Sequence, residues 1–329
     1  MYTSIVVPLD GSAFGNYALP VAVALARRSD AAVHLVHVHE PIVLPEGAPM
    51  YDTRLYHDLR QEMQSELTAV AAQLTSEASL KVDTEFLDGP VVATLQRYLA
   101  DRRHDLVVMM THGRGGLSRA WIGSVADGLV RHAPVPLLLM RPGTEWPSDL
   151  VEPLFRRVLV PLDGSTMAEE VLNHVVSLGT PEATVYALLT VVVPLPMLED
   201  PSPSSEAFTD RSDVARRRDA ALAYLTGVAR ELRETGARVE TRVEVHQQPA
   251  QRILDFANQE HVDLIALSTH GRGAVSRLLH GSVADKVVRG ATVPVLVYRP
   301  GRARADSAAR GIEGVAAVTS AVSSLAVRG

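Results

Sequence analysis

The chain has 329 residues, of which 47% are hydrophobic and 5% aromatic, and this length suggests two domains with mainly aliphatic cores. It contains no cysteine, which excludes disulfide bonds, thiolate metal sites and cysteine nucleophiles. The formal net charge is −6 and neither half is basic, which argues against nucleic acid as the main partner.

Strand and helix patterns alternate along the first half of the chain. The Ala- and Leu-rich segment after the first strand contains Pro20, which predicts a kink or a late helix start. In chain order we expect a strand at Ser4–Leu9, a helix at Ala13–Ser29, a strand at Ala31–His39, a helix at Leu55–Ala78, a strand at Leu80–Leu87, a helix at Val91–Ala100, a strand at Leu106–Met110, a helix at Ser124–His132 and a strand at Val135–Met140.

The second half repeats the first. The motif IVVPLDGS at Ile5–Ser12 returns as VLVPLDGS at Val158–Ser165, and Asp105–Gly143 aligns with Asp263–Gly301 at 23 identities over 39 positions without a gap. Repetition over this distance indicates duplicated domains. Strands are therefore expected near Arg157–Leu162, Ala183–Val192, Arg238–Val245, Leu264–Ser268 and Val293–Arg299.

The duplication sets the expected domain organisation. We predict a first domain at residues 1–142, a Pro-containing linker at 143–155, a second domain at 156–300 and a disordered or weakly helical tail at 301–329. Strand–helix alternation with wholly apolar strands indicates a parallel sheet covered on both faces. Each domain should be an open, doubly wound α/β unit with a five-stranded parallel sheet, whose ligand crevice lies outside the carboxyl ends of the strands.

Three features at this edge suggest a phosphate site in each copy. Asp10 and Asp163 follow the first strand of each copy, where a carboxylate can accept from a ribose hydroxyl or help to hold Mg²⁺. An Asp-Gly-Ser sequence is equally typical of a tight turn, so both interpretations stay open. The glycine-rich loops Thr111–Gly116 and Thr269–Ala274 follow the fourth strand and could present amide groups to an anion.

The third feature is a Gly-Ser pair at the start of the next helix in each copy, Gly123-Ser124 and Gly281-Ser282. A helix N-terminus offers unpaired N–H groups and a partial positive charge, which favours phosphate. The alternative is a serine that only caps the helix. Neither copy has the Lys of a Walker A motif, and neither has the Rossmann glycine pattern after its first strand.

The PLDGS, THGRGG and GSVAD motifs, in this order, resemble the universal stress protein family in its tandem two-domain form. The resemblance covers about residues 3–142 and 156–300. It implies an adenine-nucleotide alpha-hydrolase-like fold and binding of ATP, with slow turnover at most; whether Mg²⁺ accompanies the ATP stays open. It also implies that the last strands of the two copies pair, which would form an intramolecular pseudo-dimer, and a further homodimer is left open.

The ATP-binding branch of that family has Gly, two residues, Gly, nine residues, and then Gly-Ser or Gly-Thr. The leading glycine falls here on Met110 and Ser268, and Met110 either narrows the site or packs at the strand end. Carried over position by position, the resemblance assigns nucleotide binding to Asp10, Val38, Gly113, Gly123, Ser124 and Val125, and to Asp163, Val191, Gly271, Gly281, Ser282 and Val283. Arg114 and Arg272 could also reach the phosphates, and the alternative is that they are solvated loop arginines.

The histidines do not carry a function in this interpretation. His112 and His270 precede the loop glycines and are expected to order the loops rather than to catalyse a reaction. His37 and His39 lie on one face of a strand, but the second copy has no matching pair, so chance is favoured over a metal site.

Three functions remain open from the sequence. The first is an ATP-binding protein with a regulatory or protective role. Its turnover would be slow at most, because the sequence shows no positioned general base, arginine finger or Walker-type lysine for phosphoryl transfer. The alternatives are an interaction scaffold that binds no nucleotide, and a weak ATPase or nucleotidyl enzyme. The N-terminus has no basic region followed by an apolar run, and no stretch approaches the roughly 20 apolar residues of a membrane span, so we expect a cytoplasmic protein without a membrane partner.

Overall fold

In a computed structural model, strands and helices alternate along the described residues, which are 1–40, 53–102, 104–111, 122–141, 153–180, 182–194, 211–269 and 282–300. The first half contains β1 (Ser4–Pro8), α1 (Ala13–Asn16), α2 (Leu19–Ser29), β2 (Ala32–His39), α3 (Thr53–Ala78), β3 (Val82–Asp88), α4 (Val91–Asp101), β4 (Leu106–Met110), α5 (Ser124–His132) and β5 (Leu137–Met140).

The second half has the same order of elements. It contains β6 (Arg157–Pro161), α6 (Thr166–Glu169), α7 (Val171–Leu178), β7 (Val185–Val192), α8 (Arg211–Glu234), β8 (Arg238–Val245), α9 (Pro249–Gln259), β9 (Leu264–Ser268), α10 (Ser282–Gly290) and β10 (Val295–Tyr298). Residues 142–152 and 301–329, which hold most of the expected linker and the whole expected tail, lie outside the described part.

The strands form one ten-stranded sheet in the order β3-β2-β1-β4-β5-β10-β9-β6-β7-β8. Pairing within each group of five is parallel, and only the junction of β5 with β10 is antiparallel, with Leu138 opposite Leu296. The predicted fold class, two α/β units with five parallel strands each, is confirmed.

Aliphatic side chains cover both faces of the sheet, as the apolar strands predicted. One core cluster packs α2 and α7 against one face, and the other packs α4, α5, α9 and α10 against the opposite face. Every residue of β4 and β5 is buried, because each strand lies between two neighbours in the sheet and between helices on both sides. The carboxyl ends of the parallel strands are therefore left as the edge at which a ligand can approach.

Proline sets two of the element boundaries. Helix α2 begins at Leu19 with Pro20 in its first turn, which confirms the late helix start; proline fits there because the first helical N–H groups have no helical partner. Strand β5 begins at Leu137 and not at the predicted Val135. Among the described residues, no helix is long and apolar enough to cross a membrane.

Candidate functional site

Asp10 begins a tight turn at the carboxyl end of β1. Its Oδ1 accepts hydrogen bonds from the Ser12 amide at 3.0 Å and the Ser12 hydroxyl at 2.6 Å, and that hydroxyl accepts from the Gly15 amide at 3.2 Å. Gly11 has φ 75°, a left-handed conformation that glycine adopts without strain. The turn interpretation of Asp10 is therefore observed, and its contact with a ribose or Mg²⁺ stays a prediction.

The second copy repeats this turn closely. The Ser165 amide and hydroxyl donate to Asp163 Oδ1 at 3.0 and 2.6 Å, and the Ala168 amide donates to the Ser165 hydroxyl at 3.2 Å, which caps α6. Gly164 has φ 81°. In both copies, hydrogen bonds within the turn thus hold the carboxylate at the carboxyl end of the first strand.

The strand register shows which residues end the second strand of each copy. The Leu9 amide donates to Val36 O at 2.9 Å, and the Leu162 amide donates to Leu189 O at 2.8 Å. Two residues further on, Val38 and Val191 are therefore equivalent, and each packs half-buried against the same core cluster. The register thus makes Val191, within the run Thr190–Val193, the counterpart of Val38.

His37 and Thr190 occupy equivalent positions and perform the same task. His37 Nδ1 lies 2.8 Å from Leu9 O, and the Thr190 hydroxyl donates to Leu162 O at 2.9 Å. Because a carbonyl oxygen only accepts, Nδ1 of His37 carries the hydrogen. The histidine thus holds the chain before Asp10, and within the described ranges no cluster of three His, Asp or Glu residues could hold a metal ion.

The N-terminus of α5 lies directly beside the end of β4. The Gly123 amide donates to Thr111 O at 2.7 Å, and the first helical bond runs from the Asp127 amide to Gly123 O at 2.9 Å. The amides of residues 124–126 consequently have no helical carbonyl partner. Ser124 is the first residue of the helix and exposed, and Gly123 is the capping residue, so Ser124 is not the N-cap.

The carboxylate of Asp127 in α5 pairs with one arginine of its own helix and one of the second half. Asp127, in the first turn, accepts from Arg131 at 2.8 Å and from Arg289 of α10 at 2.7 Å. Arg289 also bonds Asp285 within α10. Because two guanidinium groups neutralise Asp127, its carboxylate does not cancel the partial positive charge of the helix start.

Met110 and Ser268 stand at the two positions where the family pattern has its leading glycine. Met110 is buried in the core cluster on the sheet face opposite α5, so it packs at the strand end. Ser268 donates to Ala168 O at 3.4 Å. In the second copy Ser282 begins α10, and Val283 packs partly buried against the core. Gly113, Arg114, Gly271, Arg272 and Gly281 lie outside the described residues.

A cavity of about 510 Å³ opens along α5 in the first half. Its walls come from the start of α4 and from one face of α5, and Glu40 lies at its rim beyond β2. Of the predicted site residues that the structure describes, Ser124 and Val125 line it. The lining residues are Glu40, Pro90, Val91, Val92, Ala93, Gln96, Ser124, Val125, Gly128 and His132.

Sequence reasoning missed the α4 side of this cavity. Ser124, Gly128 and His132 follow one another at intervals of four, so a helical pattern places them on one face. That spacing was available from the sequence, whereas the proximity of Gln96 depends on how α4 packs on α5. Val92 is the contact point: a Cβ on Gly128 would lie 2.8 Å from both of its methyl carbons.

Comparison with known proteins gives a consistent result. The model of the universal stress protein family matches residues 1–141 and 154–299. A universal stress protein of Mycolicibacterium smegmatis is 29% identical over 300 residues, covering 90% of this chain and 97% of that protein. Universal stress protein MJ0531 of Methanocaldococcus jannaschii is 31% identical over 144 residues, covering 43% of this chain and 83% of that protein.

A solved structure extends the likeness to the fold. The crystal structure of a universal stress protein from Archaeoglobus fulgidus superposes with a TM-score of 0.63 at 20% identity, covering 91% of this chain and 98% of that one. The two matches of the family model together span most of the residues, in agreement with the internal repeat. The chain therefore belongs to the universal stress protein family, of which it carries two copies in tandem.

Proposed function

We propose that this protein binds an adenine nucleotide, ATP, in the first half and has a regulatory or protective role with slow or no hydrolysis. The observation that carries the proposal is the start of α5, which has no side-chain cap and opens onto a cavity of about 510 Å³. Ligand sites commonly measure about 300–1,000 Å³. The family resemblance of the motifs favours ATP as the occupant.

The cavity has the chemistry that such a ligand needs. Pro90, Val91, Val92 and Val125 supply apolar walls for a planar base. The Ser124 hydroxyl and the first amides of α5 can donate to phosphate oxygens. Asp10 is fixed at the same edge of the sheet, where its carboxylate suits a ribose hydroxyl or Mg²⁺.

Two further parts of the proposal concern assembly and location. We propose that the two halves act as an intramolecular pseudo-dimer, because the antiparallel contact of β5 with β10 joins equivalent strands. A homodimer of whole chains and a cytoplasmic location stay predictions from the sequence. The boundaries of the two domains, the linker and the tail are proposed as stated above.

The test is equilibrium binding of MgATP to the purified chain, measured by calorimetry. Saturable binding below millimolar concentration is expected. Ser124→Asp should raise the Kd at least tenfold, since it places a negative charge at the phosphate end of the cavity. The matched control Ser65→Asp adds the same charge on an exposed position of α3 and should leave the Kd unchanged.

Other outcomes point to the other functions. Absence of saturable ATP binding would contradict the proposal and favour an interaction scaffold that binds no nucleotide. Multiple turnover above about 1 s⁻¹, the lower end of typical enzyme rates, would favour an enzyme. Equal weakening by both serine variants would show that net charge, and not the α5 site, governs binding.

A further inference from the structure

An arginine follows the last strand of each half. Arg141 follows β5 and Arg299 follows β10, and the ungapped repeat makes these two residues equivalent. Arg299 donates a hydrogen bond to Arg131 O in the last turn of α5. The equivalent acceptor for Arg141 is Arg289 O in the last turn of α10, but this bond is not formed. The two halves therefore differ in what holds this guanidinium group.

Arg141 is a buried cation without a partner among the described residues. Only 3% of its surface is exposed, and none of its three guanidinium nitrogens has a hydrogen-bond partner there. Burial lowers the pKa of Arg141 to about 10, so the group still carries its charge at pH 7. A charge is expensive to remove from water unless it is paired and hydrogen-bonded. Arg141 therefore offers a positive charge and five N–H donors for which this part of the chain supplies no acceptor.

The strand register places Arg141 beside the start of α5. Strands β4 and β5 are parallel and pair up to Met110 and Met140, and the Thr111 amide donates to Met140 O at 3.0 Å. Arg141 is therefore the neighbour of Thr111 across the sheet, with about 5 Å between their Cα atoms. Thr111 O accepts in turn from the amide of Gly123, the capping residue of α5, at 2.7 Å.

The Arg141 side chain lies on the face of the sheet that α5 and α10 cover. Leu137 and Leu139 belong to the core cluster beneath these helices, and side chains alternate along a strand, so Arg141 shares their face. On that face, Arg289 in the last turn of α10 donates to Asp127 in the first turn of α5 at 2.7 Å. The free guanidinium group is thus placed where the start of α5 meets the end of α10.

We propose that Arg141 is a phosphate-binding residue of the first half, whose guanidinium group holds the end of the phosphate chain while the inner phosphates lie against the start of α5. The inference rests on the proposed function. A guanidinium group can donate two parallel hydrogen bonds to the oxygens of one phosphate. Arg131 and Arg289 are less suited to this role because both are already paired with Asp127. Arg141 therefore makes the site selective for a triphosphate over a monophosphate.

Calorimetric titration of the full chain with MgATP and with AMP tests this role. Arg141→Met removes the charge and keeps a long side chain, so it should raise the Kd for MgATP at least tenfold and leave the Kd for AMP within twofold. Its melting temperature should not fall, because an unpaired buried charge is lost. The matched control Arg299→Met removes the equivalent charge, which is already bonded to Arg131 O, and should change either Kd less than threefold.

Four results would overturn the role of Arg141 and leave nucleotide binding itself standing. They are unchanged MgATP affinity in Arg141→Met, an equal loss of AMP affinity, an equal loss of MgATP affinity in Arg299→Met, and a lower melting temperature of Arg141→Met, which would show that the guanidinium group has an acceptor within the chain.

Absence of ATP binding by the wild type would contradict the proposed function instead, and inorganic pyrophosphate then decides the role of Arg141. A rise in the wild-type melting temperature with pyrophosphate that Arg141→Met abolishes would support an anion site at this residue. An equal rise in both proteins, or no rise in either, would overturn it.

Discussion

Replacing His104 should change the acid sensitivity of this protein. His104 lies at the amino-terminal edge of the sheet, just before β4, and only 7% of its surface is exposed. Its Nδ1 is 2.7 Å from the Ser4 hydroxyl oxygen, and its ring centroid lies 4.8 Å from those of His34 and Tyr98. Two histidines and a tyrosine are thus packed together in the first half.

Burial governs the titration of these histidines. It lowers the pKa of His104 to about 4, and it lowers the pKa of His34 as well, although Asp83 is 3.5 Å away. The unfolded chain has an ordinary histidine pKa near 6.5. As the pH falls from 6.5 towards 4, the unfolded chain takes up the proton and the folded chain does not, so the free energy of unfolding decreases.

The expected magnitude follows from the shift. One pKa unit corresponds to about 1.4 kcal/mol, so His104 alone lowers the free energy of unfolding by up to about 3 kcal/mol at pH 4. His104→Val removes this penalty. At pH 7 the variant should be about 1 kcal/mol less stable than the wild type, because the Ser4 hydroxyl loses its buried partner. The two stabilities should therefore cross near pH 5.5.

Urea unfolding followed by circular dichroism, at intervals between pH 7.5 and 4.5, measures both curves. The second copy supplies a reciprocal variant, because it has Val262 at the position of His104 and Phe256 at the position of Tyr98. Val262→His should add acid sensitivity to the chain. Parallel curves for the wild type and His104→Val across this range would refute the assignment of the acid sensitivity to His104.

Further predictions concern packing and the contact between the halves. Gly179→Ala should lower the free energy of unfolding by about 1–3 kcal/mol in urea titrations, because its Cβ would lie 1.8 Å from the buried Tyr186 hydroxyl oxygen. Gly227→Ala, in α8 with nothing within 4 Å of the added carbon, should raise it by about 0.5–1 kcal/mol. Asp127→Asn should lower it by about 1 kcal/mol, since Arg289 loses its ion pair across the halves; an unchanged urea midpoint would contradict this.

Strand patterns were predictable because the strands lie in the middle of a covered sheet. For Leu106–Met110 and Leu264–Ser268 the predicted and the observed strands coincide. At Val135 the prediction was two residues too long, because an apolar side chain does not show whether its backbone joins the sheet. Pro136, which lacks an N–H group, precedes the observed strand.

Only those features of the candidate site that are local in sequence were predictable. The turn at Asp10 and the helix start at Ser124 are local features, so residue type and spacing identify them, although the capping residue proved to be Gly123. The depth of the cavity is not local. It depends on how α4 packs against α5, as at Gly128, where a Cβ would lie 2.8 Å from the Val92 methyl carbons, and such a contact requires the packing of two helices to be known.

The junction of the two halves also bears on the first site. Strand β5 is wholly buried because β10 pairs along it, and Arg289 bonds Asp127 in the first turn of α5. At the other end of this helix, Arg299, which follows β10, donates to Arg131 O. The helix whose start forms the proposed phosphate site is therefore fixed at both ends by the second half. Because a ligand site needs rigid support, we expect the second copy to stabilise the proposed nucleotide site of the first.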